Sequence, residues 1–73
     1  MEKLYLDALE LVVENEEVTC SLLQRKLSIG YPKALKICEW MEQNGYVDKE
    51  ENYSRKSLIT KEQLEEIKKQ INN

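Results

Sequence analysis

The sequence predicts a mainly α-helical domain that carries one small β-hairpin. Three observations lead there. The stretch from Thr19 to Gly45, TCSLLQRKLSIGYPKALKICEWMEQNG, reads as a short helix, a tight turn and a longer amphipathic helix. A helical apolar stripe precedes it. After Gly45 the helical period gives way to two short extended runs around a polar tip. Three helices followed by a hairpin form a winged helix-turn-helix, with the hairpin as the wing. A further helix then closes the chain. The predicted division is residues 1–60 for the winged helix and 61–73 for the added helix.

The first helix runs from about Lys3 to Glu14. Leu4, Tyr5, Ala8, Leu9 and Val12 make one apolar stripe, and Leu11 widens it. Asn15-Glu16-Glu17 ends it. Val18 and Thr19 are extended and available to pair with a later strand. Thr19 then caps the second helix, where its hydroxyl accepts from an otherwise unpaired backbone N–H. Leu22, Leu23 and Leu27 are the apolar positions of that helix, and Gln24, Arg25 and Lys26 the polar ones.

Ser28-Ile29-Gly30 breaks the pattern. Gly30 caps the third helix, and Pro32 falls in its first turn, where a missing N–H is harmless. Ala34, Ile37, Cys38 and Met41 recur at i, i+3, i+4 and i+7 as its buried face. Asn44-Gly45 stops it. Leu23, Leu27, Ile37 and Met41 are expected to be buried together beneath Leu9 and Val12.

Tyr46-Val47 is one arm of the predicted hairpin, Asp48 to Asn52 its turn, and Tyr53 to Ile59 the returning arm. Thr60 and Gln63 match the capping-box pattern at the start of the last helix, Lys61 to about Ile71. Leu64, Ile67, Lys68 and Ile71 lie along one side. That thin stripe either docks on the domain or meets its copy in a second subunit.

Charge is distributed unevenly. The 73 residues carry a net charge of −3. Glu2, Asp7, Glu10, Glu14, Glu16 and Glu17 face a single Lys3 in the opening segment. From Val18 to Cys38 there is no carboxylate, while Arg25, Lys26, Lys33 and Lys36 are basic. Positive charge is thus gathered on one motif, as contact with a phosphate backbone requires. A solvated helix face would show the same pattern.

Other classes find little support. The two cysteines, Cys20 and Cys38, form no CxxC pair, and the chain has no histidine, so neither a zinc site nor an activated thiolate is expected. They read as small buried residues of a reduced, cytoplasmic protein. No apolar run approaches the roughly 20 residues of a membrane span, and no signal peptide is present. No nucleophile–base pair, metal cluster or phosphate-cradling GxxxxGK[ST] loop can be assembled. Neither an enzyme, nor a cofactor, nor a small-molecule substrate is expected.

The run LYLDALELVVENEEVTCSLLQRKLSIGYPKALKICEWMEQNGYV resembles the C-terminal γ domain of the FtsK/SpoIIIE family of DNA translocases. The likeness lies in Leu-Tyr…Ala-Leu, in Ser-Leu-Leu-Gln-Arg-Lys-Leu, in Ile-Gly-Tyr and in Met-Glu-Gln-Asn-Gly-Tyr-Val. It spans about residues 4 to 60. It implies a winged helix that binds short directional sequences in duplex DNA, and so tells a motor which way to run. At the family's Asn, Arg and Arg after Gly-Tyr, this chain has Pro32, Lys33 and Lys36. Asn and Arg read adenine and guanine with paired hydrogen bonds. Proline offers neither, and lysine supplies a point charge. The family's G-rich preference therefore does not carry over with the fold. In the wing, Tyr53-Ser54-Arg55 stands where the family often has Lys-Pro-Arg, with the loop about one residue shorter, and Lys56 follows.

The expected DNA-contacting residues are Arg25, Lys26, Tyr31, Pro32, Lys33, Lys36, Arg55 and Lys56, with Arg55 entering the minor groove. Tyr31 either touches phosphate or packs on the turn. Tyr53 either enters the minor groove or serves as a cross-strand aromatic, the commoner role. Trp40 either stacks on a sugar, forms a subunit contact, or packs under the last helix. Met1 and the added helix favour a stand-alone DNA binder in segregation or DNA processing, bound to duplex in several copies or beside a motor or relaxase encoded elsewhere; as part of a longer protein, the domain would instead follow a motor upstream. Marking a transfer origin, regulating transcription, and binding another protein through the winged helix are the alternatives.

Overall fold

Local chemistry sets the helix boundaries in the computed structural model, which describes residues 2–71. Helix α1 spans Lys3–Asn15, strand β1 Glu17–Val18, α2 Cys20–Leu27, α3 Tyr31–Gln43, β2 Arg55–Lys56 and α4 Lys61–Ile71. Glu16, at φ 62°, turns the chain out of α1. The Thr19 hydroxyl accepts from the Leu22 N–H at 2.9 Å and caps α2. Ser28 enters the left-handed region at φ 54°, and its N–H closes on the Gln24 carbonyl. Ile29 N–H reaches the same carbonyl at 3.3 Å. That closure makes the turn between α2 and α3 tight. Gly30 precedes α3 and Pro32 sits in its first turn. At the far end, the Asn44 amide donates to the Trp40 carbonyl at 2.8 Å. Gly45 takes φ 77°, a conformation glycine adopts without strain. Tyr46 N–H then closes on the Met41 carbonyl at 2.8 Å.

One core holds these elements together. Ala8, Leu9 and Val12 of α1, Val18 of β1, Leu23 of α2, and Ala34, Ile37, Cys38 and Met41 of α3 are fully buried, and Val47 and Leu64 nearly so. Leu27, expected among them, is half-buried at the end of α2. The last helix is part of this packing. Thr60 and Gln63 exchange the two capping-box hydrogen bonds, at 2.8 and 3.2 Å. Leu64 drops into the core. Lys68 Nζ meets Glu10 Oε1 of α1 at 2.6 Å. Helix α4 therefore docks on α1, the first of its two expected roles. The side chain of Ile71 lies outside the described residues.

The wing differs in detail from a simple hairpin. Residues β1 and β2 pair antiparallel, Glu17 with Lys56 and Val18 with Arg55. On the other edge of β2, Val47 bridges Ser57, supported by Asp48 N–H to Lys56 O at 2.8 Å and Leu58 N–H to Tyr46 O at 2.9 Å. The returning arm is thus central, between the segment before α2 and the segment after α3. This ties the wing to both ends of the helix-turn-helix.

Candidate nucleic-acid interface

Helix α3 faces outward with Pro32, Lys36, Glu39 and Gln43, one exposed stripe opposite Ile37 and Met41. Only the first half of that stripe is free of carboxylates. Arg25 and Lys26, in the last turn of α2, are exposed beside it in sequence and across the tight turn. Among the described residues, Arg25, Lys26 and Lys36 form no ion pair. Tyr31, the first residue of α3, is 54% exposed, so its ring is open to solvent and not packed into the turn. Arg25, Lys26, Tyr31, Pro32 and Lys36 are all exposed on the two helices of the helix-turn-helix.

Lys33 stands on the flank of this face. Its Nζ is 3.8 Å from Glu2 Oε2 and 5.4 Å from the centre of the Tyr5 ring. The ion pair with Glu2 is solvent-exposed and the contact over half-buried Tyr5 is long, so each is worth at most about 1 kcal/mol, and a phosphate can displace them. Trp40 lies along the same flank and packs edge-to-face on Tyr5 at 4.8 Å and on Tyr46 at 5.4 Å. It joins α1 to the base of the wing and is half-buried there.

The wing cations are placed differently from the expectation. Arg55 is buried. Its Nε donates to Glu42 Oε1 at 3.0 Å and its Nη1 is 3.7 Å from Glu50 Oε1. Burial by itself would lower the Arg55 pKa. The hydrogen bond Arg55 donates to Glu42, with Cys38 and Glu50 nearby, outweighs that and holds it above the usual arginine value. Arg55 is therefore a charged rivet between the wing and α3, with its guanidinium held by Glu42 and Glu50. Lys56 follows the strand alternation and points outward, where it lines two clefts among Glu14, Glu16, Glu17, Asp48 and Glu51. Its surroundings are acidic, unlike those of Lys36.

Two further features were not predicted. Cys20 and Cys38, 18 positions apart, bring their sulfurs to 3.9 Å. The Cys38 thiol is pushed up to about 12 by burial and by the neighbouring Cys20. Tyr53 is 85% exposed at the tip of the wing, so the expected cross-strand packing is absent. Among the described residues no group of acidic, cysteine or histidine side chains is arranged to hold a metal ion, and no helix is long and apolar enough to cross a membrane.

The sequence is similar to known proteins. The chain is 36% identical over 64 residues to a DNA translocase FtsK of Clostridium acetobutylicum, which covers 86% of the chain and 8% of that relative. It is 36% identical over 67 residues to the DNA translocase SpoIIIE of Bacillus subtilis, covering 90% of the chain and 8% of the relative. Against a DNA translocase FtsK of Corynebacterium glutamicum it is 43% identical over 63 residues, 85% of the chain and 7% of the relative. The chain thus spans less than a tenth of the length of these relatives. The profile of the FtsK gamma domain matches residues 1–60, and the chain belongs to that family.

Proposed function

We propose that this domain binds double-stranded DNA sequence-specifically and serves as an accessory reader in DNA translocation or segregation. The observation that carries the reading is the carboxylate-free stretch from Val18 to Cys38 in an acidic chain, folded so that Arg25, Lys26 and Lys36 stand exposed and unpaired, among the described residues, on one helix-turn-helix. Helix α3 enters the major groove with its first turn toward the base edges. Arg25 and Lys26 hold phosphates of the flanking backbone, and Lys33 swings from Glu2 to a phosphate. Lys36 reaches furthest toward the bases. Pro32 contributes shape and no hydrogen bond. The relatives' names as DNA translocases point the same way.

The test is a fluorescence-anisotropy titration of duplex DNA libraries at two salt concentrations. Affinity should fall as salt rises, because each phosphate contact releases counterions, and one subset of sequences should bind more tightly. Equal, salt-independent failure to bind any duplex would refute the reading and favour a protein-binding winged helix.

A further inference from the structure

The tip of the wing holds a side chain that the fold does not need. Glu51 and Ser54 exchange both backbone hydrogen bonds, at 2.8 and 3.1 Å. Asn52 and Tyr53 are thus the two central residues of a two-residue hairpin loop. Both have positive φ, 54° and 68°, the signature of a type I′ turn, whose second central position favours glycine. Asparagine tolerates that region, but a bulky residue there is strained. Packing would offset the strain, yet Tyr53 is 85% exposed. Strain without a packing return is characteristic of positions that contact a ligand.

The ring also faces something. Tyr53 lines a cleft with Ser21 and Gln24 of α2 and with Tyr31. The walls of this cleft are the first turn of α3, the start of α2 and the wing tip. Among the described residues, Glu50 is the one carboxylate lining it, and Arg55 stands 3.7 Å from that carboxylate. Among the described residues, the cleft lining contains no lysine or arginine. A phosphate at the Tyr31 and Tyr53 side of the cleft would meet the neutral donors of Ser21, Gln24 and the two phenols, with the repulsion of Glu50 offset in part by Arg55.

We infer that Tyr53 and Tyr31 grip one backbone strand of a duplex between the wing and helix α3. Their phenol O–H groups donate to phosphate oxygens and their rings lie against deoxyribose. This rests on the DNA-binding reading above. It assigns the wing's grip to an uncharged side chain, where the chain's pattern had suggested Arg55. Neutral contacts release no counterions of their own, so their loss leaves a distinctive trace.

The experiment compares Tyr53→Gly, Tyr31→Phe and the unaltered protein by thermal melting and by anisotropy on duplex DNA at several salt concentrations. Tyr53→Gly should melt at or above the parent temperature, bind duplex roughly tenfold more weakly, and keep the parent's salt slope. Tyr31→Phe should lose a smaller part of the affinity, again at unchanged slope. Unchanged affinity of Tyr53→Gly overturns the inference while leaving the DNA-binding reading intact. So does a melting temperature well below the parent's, since the ring would then be serving the fold. Absence of duplex binding by the unaltered protein overturns both. Loss of binding to a protein partner, with duplex binding untouched, overturns this inference in favour of a protein ligand.

Discussion

Replacing Arg55 by alanine separates two roles that the sequence alone cannot. A groove-reading arginine would leave the fold intact and weaken DNA binding. The buried arginine seen here should do the reverse. Its side chain is 7% exposed, whereas those of Glu42 and Glu50 are 41% and 49% exposed. Truncation removes a hydrogen bond between charged groups, worth about 1.5–3 kcal/mol, and the packing of the aliphatic stem. The full penalty for stranding a buried charge, about 3–5 kcal/mol, does not apply, because both carboxylates keep access to water. A loss of about 2 kcal/mol follows, which lowers the melting temperature of a domain this small by about 8–16 °C. Urea unfolding of Arg55→Ala, Glu42→Gln and the double variant measures it. The double variant should cost less than the sum of the singles, because both delete the same 3.0 Å contact. Binding to duplex, measured well below the melting temperature, should change less than twofold, about 0.4 kcal/mol. An Arg55→Ala variant that melts like the parent and loses duplex affinity would refute this placement.

Three other outcomes follow from the same geometry. Lys36→Ala should fold normally and flatten the salt dependence of DNA binding by about one unit of slope; an unchanged slope would remove Lys36 from the phosphate-contacting set. Leu64→Ala should destabilise the domain by about 2–5 kcal/mol, measured by urea unfolding, because Leu64 anchors α4 in the core; an unaffected midpoint would mean α4 is a dispensable appendage. Iodoacetamide at pH 8 should modify half-buried Cys20 first and Cys38 only as the domain unfolds, since the Cys38 thiol titrates near 12 and stays protonated. The unfolded thiol ionises near 9. Its burial therefore stabilises the fold below pH 9, and that contribution is lost as pH rises from 9 towards 12. Equal labelling of both cysteines in the native protein would contradict this.

The helices were legible because each is bounded by chemistry that acts locally. Thr19, the Thr60–Gln63 pair and Gly45 mark ends through contacts within four residues, and the apolar stripes need only a period of 3.6. The wing was harder for the opposite reason. Two-residue strands have no periodicity to read, so the pairing of β2 with β1 as well as with Val47 depends on where the helices bring Glu16 to Val18. Ser54-Arg55-Lys56 is polar throughout, and nothing in it says which side chain faces inward. What turns Arg55 in is a pair of carboxylates, Glu42 from α3 and Glu50 from the turn. Strand alternation then turns Lys56 out. Of the eight predicted contact residues, Arg25, Lys26, Tyr31, Pro32, Lys36 and Lys56 are exposed, Lys33 is half-buried beside Glu2, and Arg55 is buried. A tyrosine following asparagine at a hairpin tip was the available signal for Tyr53, but its strain shows only in the backbone angles.

With Arg55 buried against Glu42 and Glu50 and Lys56 set among carboxylates, the wing offers DNA fewer free cations than the sequence suggests. The exposed, unpaired cations left on the helix-turn-helix, among the described residues, are Arg25, Lys26 and Lys36, with Lys33 recruitable from Glu2. Three to four phosphate contacts give a salt slope of only about −3 to −4, in a molecule whose net charge of −3 opposes long-range approach to DNA. Neutral contacts from Tyr31 and Tyr53 add affinity without steering. A single copy should therefore bind weakly at physiological salt. Occupancy of a specific site then calls for copies on adjacent repeats or attachment to something already on the DNA, either of which raises the effective concentration. Sedimentation of the protein with duplexes carrying one, two and three copies of a selected site tests this. Affinity per copy should rise with site number. One protein per duplex at saturation, with full affinity on a single site, would show that a lone domain suffices and that three lysine and arginine contacts are stronger than this count allows.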